Sequence, residues 1–186
     1  MKRLRAEEEE EEEEATLVRT QGNNIYFYAD VTPATVLELQ LALDRLGSTL
    51  PCTGTDHVNL YVQSGGGCCW AGFGAYDVVR NARLTVNTIA VGRACSAATF
   101  FWLAGSNRYV GRSAEVLIHQ PSALFCGKTA VLRDEMQNTE AVTARMVAMY
   151  VQHSTMSSEQ VRTMLSDEKA LSAEEALRLG LADEIW

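Results

Sequence analysis

The chain has 186 residues, 47% of them hydrophobic, and a formal net charge of −8 at pH 7. Eight consecutive glutamates against three basic residues put −5 of that charge on residues 1–14, so residues 15–186 carry only −3. This balance excludes the basic face that nucleic-acid binding requires, and no apolar run approaches the roughly 20 residues of a membrane span. The five cysteines show no metal-binding spacing, which favours a reducing, cytoplasmic setting over disulfides or a zinc site.

The unbroken run from Glu7 to Glu14 predicts a disordered acidic arm over residues 1–18, ahead of one domain over residues 19–186. Like charges at helical spacing repel, and nothing in the run can be buried. A solubilising tail is the simpler interpretation of this arm, and an interaction arm for a basic partner is the alternative.

Strands and helices alternate through the first half of the chain. Runs rich in β-branched and aromatic residues predict three strands, at Ile25 to Val31, Val58 to Gln63 and Leu84 to Val91. Apolar stretches bounded by proline, glycine or tryptophan predict two helices, at Pro33 to Gly47 and Trp70 to Ala82. This alternation predicts an α/β fold with parallel strands. The loop Ser64-Gly65-Gly66-Gly67 follows the second strand and lacks the lysine of a phosphate-binding loop.

Ser96 stands between the third strand and an apolar stretch that suits a buried helix ending at Gly105. The unpaired N–H groups at such a helix start favour an oxyanion beside the hydroxyl. The small neighbours Ala94, Ala97 and Ala98 leave room for a substrate carbonyl. A helix cap is the simpler interpretation of a lone serine at this place.

The second half of the chain adds a candidate base and a long helix. A short predicted strand over Glu115 to Ile118 ends at His119, where a loop begins and a side chain can reach a cleft. A hydrogen-bonded structural histidine is the simpler interpretation of that residue alone. Thr129 to Gln152 predicts one helix of about 24 residues, long enough for part of it to project or to pack on another subunit.

The glycine loop, Ser96, His119 and the acids Asp167 and Glu168 together supply the parts of a serine hydrolase. In this order they resemble the proteolytic subunit of Clp protease, the ClpP family of serine peptidases, including its phage-encoded relatives. The segments that carry the resemblance are Leu60 to Gly67, Ala71-Gly72, Ala75 to Asp77, Gly92 to Ala98, Ile118 to Pro121, Leu171 to Ala173, Glu175-Ala176, Gly180-Leu181 and Asp183.

The resemblance implies roles for particular residues. Ser96 would be the nucleophile and His119 the general base and then the acid, with an oxyanion hole made by the backbone N–H groups of Gly67 and Ala97. The family places an aspartate three positions before the leucine of its Leu-Ser-Ala segment. Glu168 occupies that position here, and Asp167 beside it is the alternative acid.

The resemblance also implies an architecture and an assembly. The expected fold is a crotonase-like spiral of ββα units, with residues 129–152 as a long projecting handle helix. The expected partners are a peptide or unfolded protein substrate and further copies of the chain in a heptameric or double-heptameric ring, without nucleic acid, membrane, metal or organic cofactor. The glutamate run stands where ATP-dependent members carry an axial segment, which leaves open whether an AAA+ unfoldase is a partner.

The expected function is a serine endopeptidase that acts on peptides or unfolded proteins inside a self-compartmentalised oligomer, with a phage-type capsid-maturation protease as a variant. A catalytically weak structural or scaffolding subunit is one alternative, because a glutamate replaces the usual aspartate at Glu168. A crotonase-type acyl-CoA enzyme is another, since it shares the spiral and the glycine loop without needing Ser96 and His119.

Overall fold

The computed structural model describes residues 16–49 and 57–186, and an eight-stranded sheet organises them. The strands are β1 (Thr16–Gln21), β2 (Asn24–Ala29), β3 (His57–Ser64), β4 (Thr85–Cys95), β5 (Asn107–Val110), β6 (Glu115–Leu117), β7 (Ala170–Leu171) and β8 (Glu184–Ile185). The helices are α1 (Pro33–Thr49), α2 (Cys69–Arg80), α3 (Ala98–Leu103), α4 (Thr129–Gln152), α5 (Ser158–Asp167) and α6 (Ala173–Arg178).

The strands lie in the order β1-β2-β3-β4-β5-β8, and β6 pairs with both β4 and β7. The β1–β2 and β6–β7 pairs are antiparallel, whereas β2 to β5 are mutually parallel and β8 runs parallel to β5. Helices α1 and α2 connect successive parallel strands, as crossover connections require. The predicted α/β class with parallel strands is therefore confirmed.

The hairpin β1–β2 was not predicted from the sequence. Gly22 adopts a φ of +58°, which lets the chain reverse between the two strands and pair Thr16–Gln21 with Asn24–Ala29. The boundary predicted at residue 18 consequently falls inside β1. The glutamate run of the predicted arm lies outside the described residues.

The strand β4 continues beyond Val91, where the sequence predicted its end. Its first half pairs with β5 through residues 87–90, and its last residues, Arg93 to Cys95, pair with β6 instead. Gly92 makes this change of partner possible because its φ of +60° is a conformation that L side chains rarely adopt. Gly92 therefore marks an irregularity inside the strand and not its end, and the chain reaches Ser96 directly from the sheet.

The helix α3 lies wholly within the core, as its apolar sequence predicted. All six of its residues are buried, and Trp102 Nε1 donates a hydrogen bond to the carbonyl oxygen of Tyr109 at 2.9 Å. The rings of Phe100 and Phe73 stack with their centroids 4.9 Å apart. Burial of each large apolar side chain contributes about 1.5–3 kcal/mol, so α3 anchors the segment that begins at Ser96.

The long helix α4 has the bounds that the sequence predicted. Its buried residues, Met146, Val147 and Tyr150, all lie near its C-terminal end. Val131 and Met136, nearer its start, are exposed, so most of the helix projects from the core. Among the helices of the described residues, none is long and apolar enough to cross a membrane.

Candidate active site

Ser96 is held in a strained backbone conformation at the carboxyl end of β4. Its φ is +55°, in the left-handed region, and its N–H donates to the carbonyl oxygen of Leu117 at 2.8 Å. In the described part of the chain, Ser96 and Glu168 are the two non-glycine residues with positive φ. Such strain persists only where the surrounding structure enforces it, and it clusters at functional sites.

Ser96 does not cap the helix that follows it. The N-cap position of α3 belongs to Ala97, and no side chain of the described residues makes a capping hydrogen bond there. The simpler interpretation of Ser96 as an N-cap is therefore wrong. The reason is the left-handed turn at Ser96, which carries the chain into α3 one residue later than the cap interpretation requires.

The pairing of three strands brings the candidate residues to one edge of the sheet. Cys95 of β4 pairs with Leu117 of β6, and Leu117 pairs in turn with Ala170 of β7. Ser96 directly follows the first of these residues, while His119 and Glu168 lie just beyond the ends of β6 and β7. This register explains how groups distant in sequence meet at one place.

His119 lies beside Glu168 and not beside Asp167. His119 Nδ1 is 4.0 Å from Glu168 Oε1, and the two side chains are 25% and 55% exposed. The Gln120 N–H donates to the carbonyl oxygen of Leu165 at 2.9 Å, which ties the histidine loop to the end of α5. Asp167, in contrast, lines a surface groove with residues of α5 and α6.

The hydrogen bonds expected among Ser96, His119 and Glu168 are not formed in the structure. The separation between His119 and Glu168 exceeds hydrogen-bond distance, and no hydrogen bond among the described residues joins Ser96 Oγ to His119. Catalytic hydrogen bonds are often long before substrate binds and tighten in the substrate complex. The structure thus brings Ser96, His119 and Glu168 to one edge without linking them into a hydrogen-bonded chain.

The glycine loop approaches Ser96 so closely that side chains are excluded. A Cβ on Gly66 would lie 2.6 Å from Ser96 Cβ and 2.8 Å from the carbonyl oxygen of Cys95. A Cβ on Gly67 would overlap the backbone of Val31. Both glycines also have positive φ values, +99° and +144°. The loop therefore presents bare backbone to the hydroxyl of Ser96.

Two backbone N–H groups flank Ser96 and find no acceptor in the part of the chain that the structure describes. Val31 donates to Gly66 O at 2.7 Å and accepts from Cys68 N at 2.8 Å, so the intervening Gly67 N–H faces the opposite side, where β4 ends. Neither Gly67 N–H nor Ala97 N–H has an acceptor among the described residues. Buried N–H groups are rarely left unpaired, so this pair is suited to bind an anionic oxygen of a ligand.

The neighbouring Cys95 is not a competing nucleophile. Its side chain is buried, and burial raises the pKa of the thiol above its ordinary value despite the opposing effect of Arg93. A thiol that stays protonated is a poor nucleophile. The hydroxyl of Ser96 therefore remains the candidate at this strand end.

The sequence did not identify several groups that build the site. The three glycines of the loop predict backbone N–H groups open to a ligand, or a simple turn, but the sequence does not indicate how closely Gly66 approaches Ser96. Thr99 stands three positions after Ser96, a spacing at which a side-chain hydroxyl can donate to a backbone carbonyl oxygen. In the structure, Thr99 Oγ1 donates to the carbonyl oxygen of Ser96. Nothing in the sequence indicates that Leu117 O accepts from Ser96 N–H, since that contact depends on strand register.

The fold and these groups together indicate an α/β enzyme of the hydrolytic class. The sequence model of the Clp protease family matches residues 46–186. The match spans more than half of the chain and includes every candidate site residue, so the chain belongs to the Clp protease family, a family of peptidases. The resemblance seen in the sequence and the α/β fold of ClpP type that it implied are confirmed.

Proposed function

We propose that this peptidase is a serine endopeptidase that cleaves peptides and unfolded proteins inside a self-compartmentalised oligomer. The observation that carries the proposal is the convergence of Ser96, His119 and Glu168 at the edge formed by β4, β6 and β7. The N–H groups of Gly67 and Ala97, which have no acceptor among residues 16–49 and 57–186, would bind the oxyanion beside Ser96.

Each residue has a defined step in this mechanism. Ser96 Oγ attacks the scissile carbonyl carbon while His119 takes the hydroxyl proton, and the N–H groups of Gly67 and Ala97 donate to the oxyanion that forms. His119 then gives the proton to the leaving amine as the C–N bond breaks. A water molecule then attacks the acyl-enzyme ester while His119 takes its proton, and His119 returns that proton to Ser96 Oγ as the ester C–O bond breaks and the carboxylic acid product leaves. The carboxylate of Glu168 accepts from His119 Nδ1–H, which fixes the tautomer and stabilises the imidazolium.

The exposed apolar residues support an assembly of several copies. Leu124 is 97% exposed in the loop before α4, and Met136 is exposed on α4 itself. Large exposed apolar groups on a projecting helix favour burial against another protein surface. We place this surface between copies of the chain in a heptameric or double-heptameric ring, with active sites inside. Degradation of a folded substrate with and without an AAA+ unfoldase and ATP would determine whether such a partner is used.

The cysteines support a reducing, cytoplasmic location. Cys68, Cys69, Cys95 and Cys126 are all free thiols. Cys68 and Cys126 are exposed, and exposed thiols persist where disulfide formation is suppressed.

A phage-type capsid-maturation protease would use the same chemistry in the same compartment.

A scaffolding subunit with weak catalysis is the second candidate. The observation that favours it is the 4.0 Å separation between His119 Nδ1 and Glu168 Oε1, which is too long for a hydrogen bond. The family match favours both of these functions over a crotonase-type acyl-CoA enzyme.

Labelling with a fluorophosphonate probe, read by intact mass, tests the serine-peptidase proposal. We expect one adduct per chain on the wild type and none on Ser96→Ala, with His119→Ala strongly reduced. Ser166→Ala is the matched control, because it removes an exposed serine hydroxyl that bonds only within α5. An adduct retained by Ser96→Ala would refute the nucleophile assignment, and an intact unlabelled oligomer would favour the scaffolding subunit.

A further inference from the structure

A buried chain of hydrogen bonds links Ser96 to the end of the long helix α4. The carbonyl oxygen of Ser96 accepts from Thr99 N at 3.0 Å and from Thr99 Oγ1 at 2.6 Å. Thr99 Oγ1 is also 2.6 Å from the hydroxyl oxygen of Tyr150. Both side chains are completely buried, so water does not compete for these contacts.

The direction of each hydrogen bond follows from the number of protons available. A carbonyl oxygen can only accept, so the single hydroxyl proton of Thr99 is used toward Ser96 O. Tyr150 must therefore donate to Thr99 Oγ1. Burial raises the pKa of the Tyr150 hydroxyl well above its ordinary value, so this group stays protonated and remains a donor.

The carbonyl held by this chain belongs to the same peptide unit as a candidate oxyanion donor. Ser96 C=O and Ala97 N–H are the two polar groups of one planar, trans peptide, so they point in opposite directions. Fixing the carbonyl toward Thr99 therefore fixes the N–H on the other side. A hydrogen bond accepted by the carbonyl also polarises the peptide and strengthens the N–H as a donor.

We propose that Tyr150 is a positioning residue that, through Thr99, orients the Ser96–Ala97 peptide so that Ala97 N–H points at the oxyanion. This inference rests on the proposed serine-peptidase function. Tyr150 touches no substrate in this role. From the far side of the core, it keeps the left-handed residue Ser96 and the N–H group of Ala97 in a fixed orientation.

The experiment compares kcat, KM and the affinity for a peptide-aldehyde transition-state analogue in variants of the full-length oligomer. Tyr150→Phe removes only the hydroxyl and is expected to lower kcat about fivefold with KM unchanged. Thr99→Val, which removes the bond to Ser96 O, is expected to lower kcat about 30-fold, less than the loss of a whole oxyanion donor. Aldehyde affinity should fall in parallel with kcat, which a purely structural defect in a fraction of molecules would not produce.

The double variant distinguishes a pathway through Thr99 from an independent effect. Adding Tyr150→Phe to Thr99→Val should leave kcat at the value of Thr99→Val alone, because Thr99→Val has already removed the hydrogen bonds between Tyr150 and Ser96. Thr99→Ser keeps the hydroxyl and should restore kcat to within about twofold of the wild type. Tyr76→Phe is the matched control, since it removes a tyrosine hydroxyl bond to His153 that has no link to Ser96. Melting temperature and oligomer size confirm that each variant folds.

Two sets of results would overturn the inference. The positioning role is refuted if Tyr150→Phe keeps the wild-type kcat and aldehyde affinity. It is also refuted if Tyr150→Phe lowers kcat by the same factor in the Thr99→Val background as in the wild type. Neither result affects the serine-peptidase proposal. If the wild type does not hydrolyse peptides, and Ser96→Ala takes up the probe as the wild type does, the proposed function is refuted. The positioning role then fails with it.

Discussion

Replacing Gly66 with alanine tests the close approach of the glycine loop to Ser96. The added Cβ would lie 2.6 Å from Ser96 Cβ and 2.8 Å from Cys95 O. Carbon atoms that are not bonded make their best contact at about 3.5–4.0 Å, so the two segments must separate by about 1 Å. The φ of +99° at Gly66 adds about 1–3 kcal/mol of backbone strain for a residue with a side chain.

The consequence for activity follows from the displacement of Ser96, the proposed nucleophile. A shift of about 1 Å in a reacting group costs about 100-fold in rate. We expect Gly66→Ala to lose about 100-fold in kcat/KM for a fluorogenic peptide and to label slowly with a fluorophosphonate. Its melting temperature should fall by several degrees while the fold is retained.

Gly65→Ala is the control for this prediction. Gly65 has no atom within 4 Å of an added Cβ and does not adopt a positive φ, although it lies next to Gly66 in the same loop. Its activity should stay within about twofold of the wild type, as for surface substitutions that meet nothing. Wild-type labelling by Gly66→Ala, or equal losses in the two variants, would refute the packing argument.

Two further predictions concern acidic residues. Glu168→Gln should lower kcat about 1,000-fold by disfavouring the productive tautomer of His119, whereas Asp167→Asn should stay near the wild type; equal losses in peptide hydrolysis would contradict the assignment. At Asp183, burial raises the pKa, but hydrogen bonds from Arg108 outweigh it and lower the pKa below its ordinary value. The stability that this pair contributes is present above the ordinary pKa of aspartate and is lost as pH falls below about 4. Thermal melts from pH 6 to 3 should show that loss in the wild type and less of it in Asp183→Asn, and parallel curves would contradict the prediction.

The features that could be read from the sequence were the ones carried by local pattern. The apolar run of α3 and the bounds of α4 follow from composition and periodicity over many residues. The end of β4 was mispredicted because Gly92 resembles a strand terminator, while in the fold it lets the strand change partners. The local pattern around Gly92 does not indicate which strands pair with β4, since the second partner, β6, comes later in the chain, after β5.

The candidate site was predictable only in part, for the same physical reason. Ser96 stands between a predicted strand and a predicted helix, and His119 follows the end of another predicted strand, where side chains can reach a cleft. The meeting of His119 with Glu168 depends on β7, a strand of two residues that no periodicity could identify. The hydrogen bond between Thr99 and Tyr150 joins residues 51 positions apart, and it depends on the packing of α3 against the buried end of α4.

The position of Glu168, the proposed acid, is compatible with a glutamate in place of the usual aspartate. The helix α5 ends at Asp167, and Glu168 turns the chain into β7 with a φ of +51°. This left-handed turn accompanies a position of the carboxylate 4.0 Å from His119 Nδ1. The extra methylene of glutamate adds one rotatable bond, so a shift of about 1 Å that closes the 4.0 Å gap to hydrogen-bond distance needs no movement of the backbone. The backbone conformation thus distinguishes the two candidate acids: Glu168 lies in the turn that faces His119, whereas Asp167, one residue earlier and still helical, lines the groove of α5 and α6.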